Sequence, residues 1–117
     1  MNRPRTSPLI SIVVPLYNEE DSVTHLYDAI ISAMAPVSDP YEIVFVDDGS
    51  KDSTLEIAKS MITEQNNLRV IEFRKNCGQT PAMAAGIDHA YGEILVTMDG
   101  DLQNDPSDIP AMIEELK

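Results

Sequence analysis

A regular alternation constrains this chain more than any single residue does. Four short apolar runs, Leu9–Pro15 (LISIVVP), Tyr41–Asp47 (YEIVFVD), Leu68–Phe73 (LRVIEF) and Ile94–Val96 within EILVTM, each give way to a stretch with helical spacing. β-Branched and aromatic residues in runs of this length read as strands. Between and after them, apolar residues recur at i, i+3, i+4 and i+7. The first such face is Val23, Leu26, Tyr27, Ile30, Ile31 and Met34, and the second is Leu55, Ala58, Met61 and Ile62. The third is Met83, Ile87, Ala90 and Tyr91, and the last is Ile109, Met112, Ile113 and Leu116. Strands that alternate with helices are joined by crossovers, so the expected architecture is α/β with an open parallel sheet.

Punctuation agrees with that alternation. Asn18 is a candidate cap for the first helix, which Pro36–Pro40 ends; Ser53-x-x-Glu56 has the form of a capping box; Thr80-Pro81 suits a helix start. Gly92 closes the third helix, and Ser107 is the expected cap of the last. The run 68–73 alternates more than the others, as a strand near a sheet edge would, whereas Ile94, Leu95 and Val96 read as a strand buried on both faces. Met1–Pro8 is polar, with two prolines, and reads as a flexible lead-in to a domain over 9–117. The last helix runs to Lys117 without a stop signal, so the domain reads as truncated there, its sheet short of strands that a longer parent would add.

Charge narrows the partners. A formal charge of −12, from 20 acidic and 8 basic residues, excludes a nucleic-acid surface, which needs clustered Lys and Arg. Any phosphorylated ligand would then need a cation between it and the protein, or a local basic group. Cys77 is the only cysteine, which excludes a disulfide framework and a thiolate metal site and fits a reducing, cytoplasmic setting. With no His close in sequence it reads as a small buried side chain rather than a nucleophile. His25 and His89 fall mid-helix and read as surface or packing residues. No run has the length of a transmembrane helix.

The polar chemistry follows the strands. Tyr17-Asn18-Glu19 comes after the first, Asp47-Asp48-Gly49-Ser50 after the second, Arg74-Lys75-Asn76-x-Gly78-Gln79 after the third and Asp99 to Asp105 after the fourth. In a parallel sheet all four lie on one rim, at the carboxyl ends of the strands, where open α/β sheets bind ligands. Each cluster also has a plain reading. Glu19 suits a helix N-terminus, Asp48-Gly49-Ser50 a tight turn, and Arg74-Lys75 a solvated pair. Asp47 resists that reading, because a carboxylate that closes a buried strand is costly without a partner. Asp99 and Asp101, one residue apart, gather hard oxygens suited to Mg²⁺ or Mn²⁺.

In combination, PLYNEE, IVFVDDGSKDST and RKNCGQTPAMAAGIDHAYGEILVTMDGDLQNDP resemble the N-terminal half of an inverting family 2 glycosyltransferase, with its Rossmann-like GT-A fold. DLQNDP and the Asn76-x-Gly78 turn are most similar to the polyprenyl-phosphate sugar transferases, the dolichyl-phosphate mannose synthase-like group. The resemblance runs from about Ser11 to the end. It implies that Pro15, Tyr17 and Glu19 line the base and ribose of a UDP- or GDP-linked sugar, that Asp47 bonds the base, and that Arg74 lies near the nucleotide. It implies Asp99 and Asp101 as the metal pair, Asp99 also facing the nucleotide, with Gln103 a candidate third oxygen ligand. Gly100 departs from the Ala more frequent there and loosens the turn. The acceptor would be a polyprenyl phosphate, met at the cytoplasmic face of a membrane by a longer parent whose acceptor half lies beyond Lys117.

Two rivals stand beside it. VFVDDGS is similar to the acidic pair of a signalling receiver domain, but here the pair ends the second strand and the third ends at Arg74. The other rival is a non-catalytic nucleotide- or metal-binding module that assembles through its sheet edge, by self-association or with a partner chain.

Overall fold

The computed structural model describes residues 10–63, 67–98 and 106–116, with the side chain of Leu116 left aside. The elements alternate as the periodicity requires: β1 (Ile10–Leu16), α1 (Val23–Met34), β2 (Tyr41–Asp47), α2 (Thr54–Ser60), β3 (Leu68–Glu72), α3 (Gln79–His89), β4 (Ile94–Thr97), a 3-10 turn (Pro106–Asp108) and α4 (Ile109–Leu116). The described strands form one sheet in the order β3-β2-β1-β4, and every neighbouring pair is parallel. The lead-in expected over Met1–Pro8 lies outside the described residues.

Alternation along the strands makes two cores. Ile10, Ile12, Val14 and Leu16 of β1, with Ile43 and Phe45 of β2, meet Leu26 and Ile30 of α1 and Ile109 and Ile113 of α4 on one face. Val13, Val44 and Val46 meet Ala82 of α3 on the other. This second interface is close. A Cβ on Gly86 would sit 2.3 Å from Val13 Cγ1 and 3.0 Å from Val46 Cγ2. The most deeply buried positions of α3 are therefore Ala82 and Gly86; of the expected face, Met83 and Ala90 pack half-buried against this core, whereas Ile87 does not. Ile87 is exposed and, with Gln79, Thr80, Met83 and Ala84, lines a shallow apolar hollow on the outside.

Other local expectations are corrected the same way. Strand β1 continues through Pro15 to Leu16. Val13 accepts the Met98 amide on the β4 side and Leu16 accepts the Asp48 amide on the β2 side, so Pro15 shares Val13's direction. Pro15 lies beyond Thr97↔Val13, the last β1–β4 register pair, so no ladder bond needs its missing N–H. The cap of α1 is Ser22, not Asn18, and Ser53 makes no side-chain cap bond at α2. The buried face of α2 is Thr54 and Ala58, and Ile62 is exposed. Helix α3 begins one residue before Thr80, after Gly78 at φ 103°, and ends at His89 before Gly92. Met112 faces out from α4.

Strand β3 does lie at an edge, as its alternation implied, but β4 occupies the other edge and is not covered on both faces: Leu95 is 37 % exposed. Helix α3 packs over β1 and β2, and only the side carrying Val96 and Met98 reaches the core.

Candidate functional site

At the carboxyl ends of β1, β2 and β3 the chain turns into loops joined to one another by hydrogen bonds. Asn18, just past β1, donates its amide to Ser50 Oγ (2.9 Å) and accepts the Lys51 amide at Oδ1 (2.8 Å). Glu19 donates its amide to Thr54 Oγ1 (2.7 Å), and Glu20 Oε2 accepts the Ser53 amide (3.0 Å). The β1–α1 and β2–α2 loops are thus laced edge to edge. Asp52 takes part: burial alone would raise its pKa, but bonds from the Thr54 hydroxyl and amide and the Glu20 amide outweigh that and hold it below the usual value.

The β2–α2 loop is tied equally to the next one along. Asp48, 3 % exposed, accepts the Cys77 amide at Oδ1 (2.8 Å) and the Gly78 amide and Asn76 Nδ2 at Oδ2 (3.0 Å each). Gly49 stands at φ 70°, where a Cβ would lie 2.3 Å from the Lys75 carbonyl carbon. Asp48 and Gly49 therefore do more than make a tight turn: they clasp residues 75–78. Consecutive strand residues face opposite ways, so Asp47 and Asp48 could not share one role. That signal was present in the sequence. Cys77, held in this clasp by its backbone, has an exposed side chain, contrary to the buried one expected.

Asp47 closes β2 on the opposite face of the sheet. It is 1 % exposed; its Oδ2 accepts the Ser50 amide (3.1 Å), and its Oδ1 is buried with no hydrogen-bond partner among the described residues. A buried carboxylate oxygen without a donor costs the full desolvation of a charged acceptor. Beside it in register is Leu16, and next along β1 comes Tyr17, 38 % exposed on the rim. Pro15 is buried on the α3 face, and Glu19, half-buried, accepts the Ser22 hydroxyl. Arg74 is exposed on the β3–α3 loop.

Charge is distributed unevenly. Among the described residues, Lys59 pairs with Glu72 and Arg69 with Glu42, while Lys51, Arg74 and Lys75, all in the rim loops, form no ion pair. Among the described residues the unpaired cations thus lie where an anionic ligand would meet the strand ends.

Asp99, Asp101 and Gln103 lie outside the described residues. The last residue before them, Met98, is buried and donates its amide to Val13 at the carboxyl end of β4. Their donor set, two carboxylates and an amide oxygen, matches a hard divalent cation. Among the described residues no group of three His, Cys, Asp or Glu could hold a metal. No helix among them is long and apolar enough to cross a membrane.

A third buried carboxylate was not singled out in the sequence. Glu42, near the start of β2 and 3 % exposed, accepts the Ser11 hydroxyl (2.6 Å), the Tyr91 amide (2.7 Å) and Arg69 Nη1 (2.8 Å). It faces away from the rim, and its donors come from β1, β3 and the α3–β4 connection.

The model for "Glycosyl transferase family 2" matches residues 11–117. The chain is 48 % identical over 117 residues to a dodecaprenyl-phosphate galacturonate synthase of Rhizobium johnstonii, a match that covers 99 % of this chain and 35 % of that protein. It is 39 % identical over 112 residues to an undecaprenyl-phosphate 4-deoxy-4-formamido-L-arabinose transferase of Edwardsiella ictaluri, covering 94 % and 34 %. Among solved structures it superposes on a Pyrobaculum calidifontis mannosyltransferase in complex with GDP-Man and Mn²⁺ with a TM-score of 0.75 and 28 % identity, over 93 % of this chain and 32 % of that one. The chain spans about a third of the length of the curated relatives it matches.

Proposed function

The chain belongs to glycosyl transferase family 2, and from that premise we propose that it is the donor-binding part of a longer, metal-dependent enzyme that moves a sugar from a nucleotide-sugar to a polyprenyl phosphate with inversion. The observation that carries the reading is Asp47 Oδ1, an acceptor without a donor, buried where the strand ends meet the laced loops. An N–H of a uracil or guanine ring is the donor such an oxygen lacks, and away from bulk water that bond discriminates strongly. Because the oxygen is closed off, a rim side chain must move aside for the base to reach it.

In this reading Pro15, Tyr17 and Glu19 line the base and ribose, and Arg74 lies near the nucleotide, next to Lys75 in the chain. Asp99 and Asp101, with Gln103, would hold Mg²⁺ or Mn²⁺, and Asp99 would also face the nucleotide. Bound there, the ion supplies charge neutralisation for the departing nucleoside diphosphate. A polyprenyl phosphate oxygen is already an anion, so this part of the enzyme need supply no strong general base; a hydroxyl acceptor would require one. The names of the two relatives, one with dodecaprenyl and the other with undecaprenyl phosphate, support that acceptor and, since such a lipid lies in a bilayer, a working place at a membrane, here proposed as its cytoplasmic face.

Calorimetric titration with UDP and with GDP, each with and without Mn²⁺, tests the proposal. One nucleotide should bind only with the metal, and Asp101→Ala should abolish that binding. No binding of either nucleotide in the presence of Mn²⁺ would sink the reading. The isolated chain, mixed with a nucleotide-sugar and a polyprenyl phosphate, should turn over weakly or not at all.

The half-covered β4 edge, with Leu95 exposed, favours a second role for the isolated chain as a self-associating module. Sedimentation with and without nucleotide distinguishes that from a monomer.

A further inference from the structure

Asn18 is the only non-glycine residue with positive φ among the described residues, at 54°. Such a conformation costs on the order of 1 kcal/mol for a residue other than glycine and persists where surrounding bonds over-determine it. Here two bonds do so, both to the β2–α2 loop. The Asn18 amide reaches Ser50 Oγ, and the Asn18 side-chain oxygen takes the Lys51 amide. Ser50 is therefore gripped from both sides, at its own hydroxyl and at the amide of the next residue. Its backbone N–H points to Asp47 Oδ2. That single bond occupies one oxygen of the carboxylate and leaves the other, Oδ1, without a donor.

We infer that Asn18 is a positioning residue for donor recognition: through Ser50 it holds Asp47 so that one carboxylate oxygen is anchored and the other is kept for the nucleobase. This rests on the reading of Asp47 as the base acceptor. Asn18 acts through the loop, so its effect falls on the base and not on the diphosphate. Without the grip the Ser50 amide drifts and the Asp47 side chain can rotate. Either oxygen then finds water or the backbone, and the oriented acceptor is lost. The left-handed backbone is part of the device, since it brings the amide and side-chain oxygen of one residue to neighbouring groups of another loop.

The test is calorimetry on the 117-residue chain with Mn²⁺, comparing the preferred nucleoside diphosphate with inorganic pyrophosphate, which lacks a base. Asn18→Gly keeps the positive φ and deletes the side-chain grip. It should weaken the nucleotide about tenfold and leave pyrophosphate within about twofold. Ser50→Ala, which removes only the hydroxyl that accepts the Asn18 amide, should move the nucleotide the same way by a smaller factor. Asn18→Asp, which keeps the acceptor oxygen and tolerates the backbone, should restore affinity to within about threefold. Equal losses for nucleotide and pyrophosphate, or no loss in either Asn18→Gly or Ser50→Ala, would overturn the inference. Asp47→Asn separates the two levels. If it weakens the nucleotide while Asn18→Gly does not, the positioning role alone fails. If it too leaves nucleotide binding unchanged, the base-acceptor reading fails and takes this inference with it.

Discussion

Strand β2 carries two buried carboxylates five positions apart, and the protein treats them in opposite ways. Glu42, near the amino end, is surrounded by donors: a hydroxyl from β1, an amide from the α3–β4 connection and the guanidinium of Arg69 from β3. Arg69 also donates to the His89 carbonyl and lies 4.5 Å over the Tyr91 ring, while the Ser11 hydroxyl receives the Gly92 amide. A Cβ on Gly92 would come within 2.6 Å of the Ser11 amide, so the chain passes β1 at a distance only glycine allows. Asp47, at the carboxyl end, has one donor and one oxygen left over. Saturating a buried charge fixes how elements join, whereas leaving one oxygen unmet reserves free energy for a ligand. The difference separates the end of the sheet that holds the fold together from the end proposed to recognise the nucleotide.

The sharpest challenge to that contrast is Glu42→Ala. It strands the Arg69 guanidinium, the Ser11 hydroxyl and the Tyr91 amide, and breaking a buried ion pair costs about 3–5 kcal/mol. Arg69 keeps 32 % of its side chain exposed, which places the expected loss near the low end, about 3 kcal/mol, by denaturant unfolding. Nucleotide affinity of the folded variant should stay within about twofold. Asp47→Asn should do the reverse. It keeps an oxygen for the Ser50 amide and removes a buried charge, so stability should move by about 1 kcal/mol or less while affinity falls about tenfold or more. Equal destabilisation by the two variants would erase the distinction.

The smallest effect sharpens the contrast from the solvent side. Asp52 is a rim carboxylate whose pKa is lowered on folding. A depressed folded value means that its contribution is fully present above the unfolded value, near 4, and disappears as pH falls through the folded value. Stability should therefore decline slightly less steeply below about pH 4 in Asp52→Asn than in the wild type, as followed by unfolding at stepped pH. At neutral pH, screening leaves the exposed charge a minor part of the stability.

What the sequence determined by itself was everything carried by short-range spacing. Period-two and period-3.6 patterns marked each strand and helix, and their alternation dictated a parallel sheet with its polar loops on one rim. The same local evidence drew attention to Asp47, because a charge that ends a buried strand needs a partner wherever that strand goes. Local pattern misled where the decision belonged to another part of the chain. The apolar run of β4 could not reveal that it sits at an edge, since strand order depends on which elements pack together. Helix α3 turns Ala82 and Gly86 inward because the Val13 and Val46 side chains stand in the way of anything larger. Asn18 carries the signature of a cap, yet its bonds go to a loop more than thirty residues away. The partners of Glu42 lie 27 to 49 positions off, and the bond from Gly92 to Ser11 spans 81. Only tertiary structure could decide which of two buried carboxylates was completed and which was left open. Satisfaction of a buried charge depends on what three-dimensional packing brings within hydrogen-bonding distance, and no periodicity along the chain encodes that.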